Sequence, residues 1–252
     1  MGAEVELLLI LAAAFGAGVL NTIAGGGTFL TFPALVFIGV PPVIANATSA
    51  VAVFPGYFGG AVGYQAELKR FDRSQLVRLI SITIAGGLIG SILLLVSSDR
   101  AFSAIVPFLL FAATIAFLFS DRIRAWAARR NRTVTPFGIW GLLLVSIYGG
   151  YFNGGLGIIL LALFALWGIV NIHEMNALKM GLSFALSAIS VAVFAVGGLV
   201  EWHLALGMMI ASTAGGYFGA PIARALPAAV VRTVVALIGF SMSIVFFWRL
   251  IQ

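Results

Sequence analysis

From Glu4 to the C-terminus, apolar stretches of about 20 residues follow one another with few charges between them. At about 1.5 Å per residue a helix of that length crosses a ~30 Å hydrocarbon core. Barrel strands would be about 10 residues long and would alternate in polarity, which these stretches do not. The chain has 252 residues, 62% hydrophobic and 9% charged, whereas a soluble globule carries about a quarter of its residues charged. The sequence therefore predicts an all-α polytopic membrane protein. There is no cysteine, which excludes thiolate metal sites, disulfides and thiol nucleophiles. His173 and His203 are the only histidines and are not spaced i,i+4, so neither a catalytic metal nor any other cofactor is expected.

The net charge of +6 comes from 14 Lys and Arg against 8 Asp and Glu. Lys69, Arg70, Arg73 and Arg78 flank one short loop, and Arg122, Arg124, Arg129, Arg130 and Arg132 fill the longest polar segment, 121–136. Both segments are predicted to be cytoplasmic, because basic loops are retained inside. These arginines lie beside apolar spans without interleaved aromatics, so they orient the chain and meet phospholipid headgroups; no nucleic-acid role is expected. The N-terminus carries Glu4 and Glu6 where a signal peptide would be cationic, so Met1 is expected to begin the mature chain.

Proline, glycine and charge divide the chain into ten apolar segments: 5–24, 28–39, 43–64, 74–97 and 101–120, then 137–152, 157–170, 174–199, 203–223 and 228–250. Segments 28–39 and 157–170 are too short to span, at roughly 20 Å. They are predicted to be half-helices, tolerated at membrane depth when protein or water surrounds their ends.

The halves repeat. Gly27 and Gly157 are 130 residues apart, as are Ala45-Asn46-Ala47 and Met175-Asn176-Ala177; Ala85-Gly86-Gly87-Leu88-Ile89-Gly90 and Ala214-Gly215-Gly216-Tyr217-Phe218-Gly219 are 129 apart. Three matches in one order at nearly one offset predict a first transmembrane repeat over 1–120, a basic linker over 121–136 and a second repeat over 137–252. The loop after the 43–64 segment carries Lys69, Arg70 and Arg73, whereas its counterpart, 198–203, carries Glu201 and no Lys or Arg. The two loops are thus predicted on opposite sides, which makes the repeats inverted, as in many secondary transporters. If each short segment instead merged with its predecessor into one broken span, the halves would be four-crossing and parallel.

Asn21-Thr22-Ile23-Ala24-Gly25-Gly26-Gly27-Thr28 interrupts apolar sequence. Three consecutive glycines cost about 1 kcal/mol each relative to alanine in a helix, so the chain is expected to unwind there. The amides of Gly26, Gly27 and Thr28 would then open the next helix, whose N-terminus favours an anion. Asn153-Gly154-Gly155-Leu156-Gly157 is a similar break in the second half. The competing explanation is that the glycines only allow close helix packing.

A second candidate set is Asn46, Thr48 and Ser49, with Asn176 and Lys179 at the matching positions; Lys179 aligns with Ser49. A lysine inside an apolar helix normally faces protein or water, where it could neutralise an anion. Alternatively it snorkels to the interface or pairs with Glu174, and the two asparagines tie helices together. Glu201 and His203 fall in a predicted outer loop, and His173-Glu174 read as a cap and interface pair. Trp140, Trp167, Trp202, Trp248 and Tyr64 lie near segment ends, where aromatic belts form. There is no Gly-x-Ser-x-Gly elbow, Ser/His/Asp set or Walker-type loop, so no enzyme or ATPase is expected.

The run Gly-x-x-Asn-x-x-Ala-Gly-Gly-Gly-Thr-Phe-Leu-x-x-Pro-x-Leu from Gly18 to Leu35, followed by Gly39, Ala45 to Ser49 and the repeated Ala-Gly-Gly-x-x-Gly, resembles the sulfite exporter TauE/SafE family of membrane transporters. The resemblance implies movement of sulfite, sulfonates, thiosulfate or related small organic anions. Leu156 stands where a third glycine of the second break would be expected. The expectation is a secondary transporter working by alternating access in a bacterial cytoplasmic membrane. Its substrate would bind Asn21, Thr22, Gly25, Gly26, Gly27, Thr28, Asn46, Thr48, Ser49, Asn153, Gly155, Gly157, Asn176 and Lys179, with lipids as neighbours and protons or the membrane potential as driving force. An anion channel or a non-transporting membrane assembly factor is the alternative.

Overall fold

The structure, a computed structural model, describes residues 3–23, 25–129, 137–225 and 228–251. Its helices are α1 (Ala3–Ile23), α2 (Thr28–Phe37), α3 (Pro42–Gly63), α4 (Gln65–Leu68), α5 (Arg73–Leu95), α6 (Asp99–Leu118), α7 (Ser120–Arg129), α8 (Ile139–Tyr151), α9 (Leu156–Leu166), α10 (Ile172–Val196), α11 (Trp202–Ala225) and α12 (Ala228–Ile251). The ten apolar segments all appear, with ends shifted by a few residues. Two helices were not anticipated. α4 is a single turn in the basic loop, and α7 turns the first part of the 121–136 linker into a charged helix packed on α9. The rest of the linker, with Arg130 and Arg132, lies outside the described residues. Among those described, the 4–21 window of α1, with α5, α6 and α10, is long and apolar enough to cross a membrane. The chain is an integral, all-α, polytopic membrane protein.

Asp72 caps α5, its carboxylate accepting the Gln75 amide at 3.0 Å and the Ser74 hydroxyl. These bonds hold its pKa below the ordinary carboxylate value, Ser74 contributing most. Folding therefore favours the ionised form, and the stability it adds is present at neutral pH and lost as pH falls through the carboxylate range. Asp72→Asn is expected to remove that component from a melting-temperature profile below about pH 5.

The two short helices do not continue their predecessors. Leu30 packs against Gly16, and the Gly27 Cα faces the Ala17 carbonyl, so α2 folds back along α1. Leu163 likewise lies against Gly141 and Leu156 against Gly149, folding α9 back along α8. Each pair is a hairpin with its tip at the glycine break. At ten and eleven residues, α2 and α9 are about 15 Å long, half a hydrocarbon core. The merged four-crossing arrangement does not form.

The Ala-Gly-Gly-x-x-Gly strings are packing surfaces. α5 lies so close to α8 that a Cβ on Gly90 would stand 2.1 Å from the Ile147 carbonyl oxygen; on the counterpart face, a Cβ on Gly18 of α1 would stand 2.0 Å from the Ser212 carbonyl of α11. Only glycine lets backbones approach this closely, the main source of association where lipid offers no hydrophobic drive. Gly90→Ala is expected to lower the melting temperature in detergent by the equivalent of about 1–3 kcal/mol, the usual cost of overpacking. Gly56→Ala, where an added methyl meets nothing within 4 Å, should be near neutral.

Counterpart helices pack reciprocally: α1 on α11 and α8 on α5, α3 on α11 and α10 on α5. Where counterparts meet each other they run antiparallel. In α3 and α10, Gly60 lies on Met180 and Phe54 stacks on Phe184, their ring centroids 5.5 Å apart. In α6 and α12, Phe108 meets Phe247 and Phe111 meets Phe240. The Val43 amide donates to Asp99 at 3.0 Å, placing the starts of α3 and α6 at one end of the bundle. Leu68 of α4 lies against Gly181 near the N-terminal half of α10, at the other end.

Candidate functional site

The tips of the two hairpins meet. Gly25 takes φ +80° and Gly155 φ +71°, a left-handed conformation that costs other L-residues about 1 kcal/mol or more. A Cβ on Gly25 would be 3.1 Å from the Gly157 Cα, and one on Gly155 would contact Phe29 of α2. The N-termini of α2 and α9 therefore converge from opposite ends of the bundle, each presenting the positive end of its dipole. Phe29 and Phe117 pack beside them with ring centroids 6.0 Å apart.

The expectation of a bare triad of amides at the first tip is corrected at one position. Asn21 Oδ1 accepts the Gly27 amide at 2.9 Å, so that donor is used inside the hairpin, and buried Asn21 serves as the tip's internal cap. The amides of Gly26 and Thr28 have no protein acceptor among the described residues. Asn21→Ala should leave the buried Gly27 amide unpaired and cost about 1–3 kcal/mol, read as a lower melting temperature.

Around the tips the other expected residues divide. Asn153, itself at φ 60°, lies near the Tyr57 hydroxyl of α3, and its Oδ1 has no protein partner among the described residues. The Tyr148 hydroxyl donates to the Gly154 carbonyl. Asn46 Nδ2 donates to the Tyr151 carbonyl at 2.9 Å, just before the second break, and its Oδ1 is unpartnered. Asn46 is thus both a helix tie and a member of the tip region. Ser49 bonds Thr31 of α2. Thr48 is turned elsewhere, its hydroxyl accepting the Glu201 amide at 3.1 Å, where it joins α3 to the start of α11. Asn176 is half-buried on α10. The Thr22 side chain lies outside the described residues.

Lys179 is 2% exposed, which excludes snorkelling to the interface. No carboxylate is within ion-pair distance of it among the described residues, so the Glu174 pairing does not form. Burying an ammonium without a countercharge is costly. Elsewhere, Asn171 rather than His173 caps α10, accepting the His173 amide, and exposed His203 lies 3.4 Å from Glu201. Trp140, Trp202 and Trp248 are exposed as belt residues should be, but Trp167 is 4% exposed and packs on Phe137 and Phe164. It fills the core at the end of α9 instead of anchoring the chain in lipid.

Sequence reasoning missed Tyr57, Tyr148 and Thr31. Tyr57 was findable, because it stands one turn beyond Val53 on the face that carries Asn46 and Ser49.

Two antiparallel helical hairpins meeting tip to tip inside a bundle of membrane-spanning helices define a polytopic protein with an interrupted centre. The model of the family described as sulfite exporter TauE/SafE matches residues 10–246, nearly the whole chain, which belongs to that family. Among curated relatives it is 26% identical to a probable membrane transporter protein of Haemophilus influenzae, over 96% of this chain and 95% of that one. It is 27% identical to the probable membrane transporter protein ORF9 of a Sinorhizobium species, over 94% and 91%, and 25% identical to the probable membrane transporter protein YfcA of Escherichia coli K12, over 90% and 84%. No solved structure matches the chain significantly.

Proposed function

We propose that the chain is a secondary transporter of a small anion, of the sulfite, sulfonate, thiosulfate or small carboxylate class, working by alternating access between two inverted repeats. The observation that carries this reading is the convergence of the α2 and α9 N-termini at Gly25 and Gly157, in a bundle that also buries an uncompensated Lys179. Two positive helix ends and an ammonium supply the field an anion needs to leave water. Antiparallel packing of the counterparts α3 with α10 and α6 with α12 supports inversion of the repeats. Inversion lets one fold adopt two states related by a pseudo-two-fold rotation, by exchanging the conformations of its halves, exposing a central site to each side in turn. Membership of a family described as sulfite exporters, and relatives named probable membrane transporters, support the substrate class and the activity.

Glycine at the tips suits this task, since a tip built on backbone can approach an anion closely and shift without carrying side chains past each other. Driving force enters either as the membrane potential, worth about 2.3 kcal/mol per charge per 100 mV, or as a co-transported proton. The basic segments 64–72 and 121–136 belong on the cytoplasmic face of a bacterial inner membrane in this reading. Purified protein in liposomes should move sulfite or an alkanesulfonate down an imposed gradient, saturably, at a rate set by the potential. Unsaturable conductance at single-channel rates would favour a channel, and absence of both flux and anion binding a non-transporting role.

A further inference from the structure

Seven buried polar side-chain atoms have no hydrogen-bond partner among the described residues, and four are hydroxyls, on Thr83, Ser146, Ser183 and Ser187. Buried hydroxyls are normally satisfied, so such a group marks contact with water or ligand. Ser183 and Ser187 continue the face of α10 that holds Lys179. At 100° per residue, Asn176, Lys179, Ser183, Ser187 and Ser190 fall within an arc of roughly 80°. Leu186 on one flank of that arc packs against Gly87 of α5 and Gly149 of α8; Met180 on the other packs against Gly60 of α3. The polar arc therefore opens into the seam between α3 and the α5–α8 pair, inside the bundle. Ser190 bonds Ser91 at 3.0 Å and Leu186 lies against Gly87, a parallel register that sets Thr83 level with Leu182, within one residue of Ser183. From Lys179 to Ser190 the arc runs about 16 Å.

The first repeat fills the equivalent places. Ser183 corresponds to Val53, Ser187 to buried Tyr57, and Thr83 to Ser212, whose hydroxyl is bound to the Ala52 carbonyl. We infer that α10 lines a one-sided hydrated vestibule for the anion, entered at the α4 end past Asn176, electrostatically filtered by Lys179, lined by Ser183, Thr83 and Ser187, and shut at its far end by the Ser190–Ser91 bond. It deepens the transporter reading, on which the identity of the anion rests, by assigning the access route and its side. The second repeat gives the route its polarity. Rotatable hydroxyls solvate a passing anion without holding it, while the ammonium at the entrance raises the local anion concentration.

The absence of native cysteine makes the route directly readable. Single Ser183→Cys, Ser187→Cys and Val53→Cys variants in proteoliposomes are treated with an impermeant anionic methanethiosulfonate from each side. Exposed Lys69→Cys and His203→Cys mark the two faces. Ser183→Cys and Ser187→Cys should label from the Lys69 face at least tenfold faster than Val53→Cys, and several-fold more slowly with excess alkanesulfonate present; sulfite is avoided because it consumes the reagent. The vestibule is refuted if both serine-site variants stay unlabelled from that face while labelling after denaturation, or if Val53→Cys labels as fast. Labelling that no anion slows upholds the hydrated route and overturns its use by anions. Silent cysteines in a protein that still transports anions overturn the vestibule alone.

Discussion

Lys179→Met is expected to raise the melting temperature of the anion-free protein while weakening anion binding at least tenfold. The side chain is buried with no countercharge among the described residues, so its ammonium imposes a desolvation cost on the empty protein. Replacing a buried charge by an apolar side chain of similar length recovers about 1–4 kcal/mol in known cases. The same ammonium contributes a charge-assisted contact or field to the bound anion, worth about 1.5–3 kcal/mol, hence roughly 10- to 150-fold in affinity. Lys179→Arg should retain part of the binding. A lysine serving only structure would give the opposite pairing, with loss of stability and unchanged binding, so thermal melting with and without a sulfonate separates the two roles.

Gly25→Val should nearly abolish flux. The residue sits at φ +80° with its missing Cβ aimed at the Gly157 Cα, 3.1 Å away. A β-branched side chain incurs about 1–2 kcal/mol of backbone strain and about 1–3 kcal/mol of overpacking, and it wedges apart the contact through which the halves meet. The effect should be on transport beyond that on folding: flux down by two orders of magnitude or more in protein that still elutes as a single species. Gly59→Val, at a helix position with open space around the missing Cβ, is the matched control. Equal flux from both variants would show that the tips do not take part.

How much of this was legible in the sequence depended on the range of the interaction. The half-helices were legible because runs such as Gly25-Gly26-Gly27 break helices locally, and the ten apolar segments because lipid demands length and apolarity along the chain itself. The hairpin reversal was not, since it rests on Leu30 meeting Gly16 and Asn21 reaching the Gly27 amide, contacts that the local sequence does not encode. The Ala-Gly-Gly-x-x-Gly strings showed a repeat in the sequence, but their purpose, backbone contact between α5 and α8 and between α1 and α11, needed the fold. Asn46 makes the helix tie that was one of its two sequence explanations, while Thr48, two residues on, ties α3 to α11. Ser183 and Ser187 were hidden among many serines until the unpartnered hydroxyls singled them out.

α7 was hidden for a different reason. Its residues read as a basic linker because their charge outweighs their apolar content, yet Trp126 and its neighbours fold into a helix against α9. The counterpart helix α2 borders instead an apolar groove of about 600 Å³ between α1 and α12. The halves are therefore unequal at their edges as well as along α10.

The most direct test of anion recognition at the centre of the bundle is a thermal-shift titration of the purified wild-type chain with sulfite, methanesulfonate, thiosulfate and acetate at constant ionic strength, set beside Lys179→Met. A saturable upward shift for at least one of these anions, reduced at least tenfold in apparent affinity by the substitution, is the predicted result. No saturable shift with any of the four, or one that Lys179→Met leaves unchanged, would contradict it.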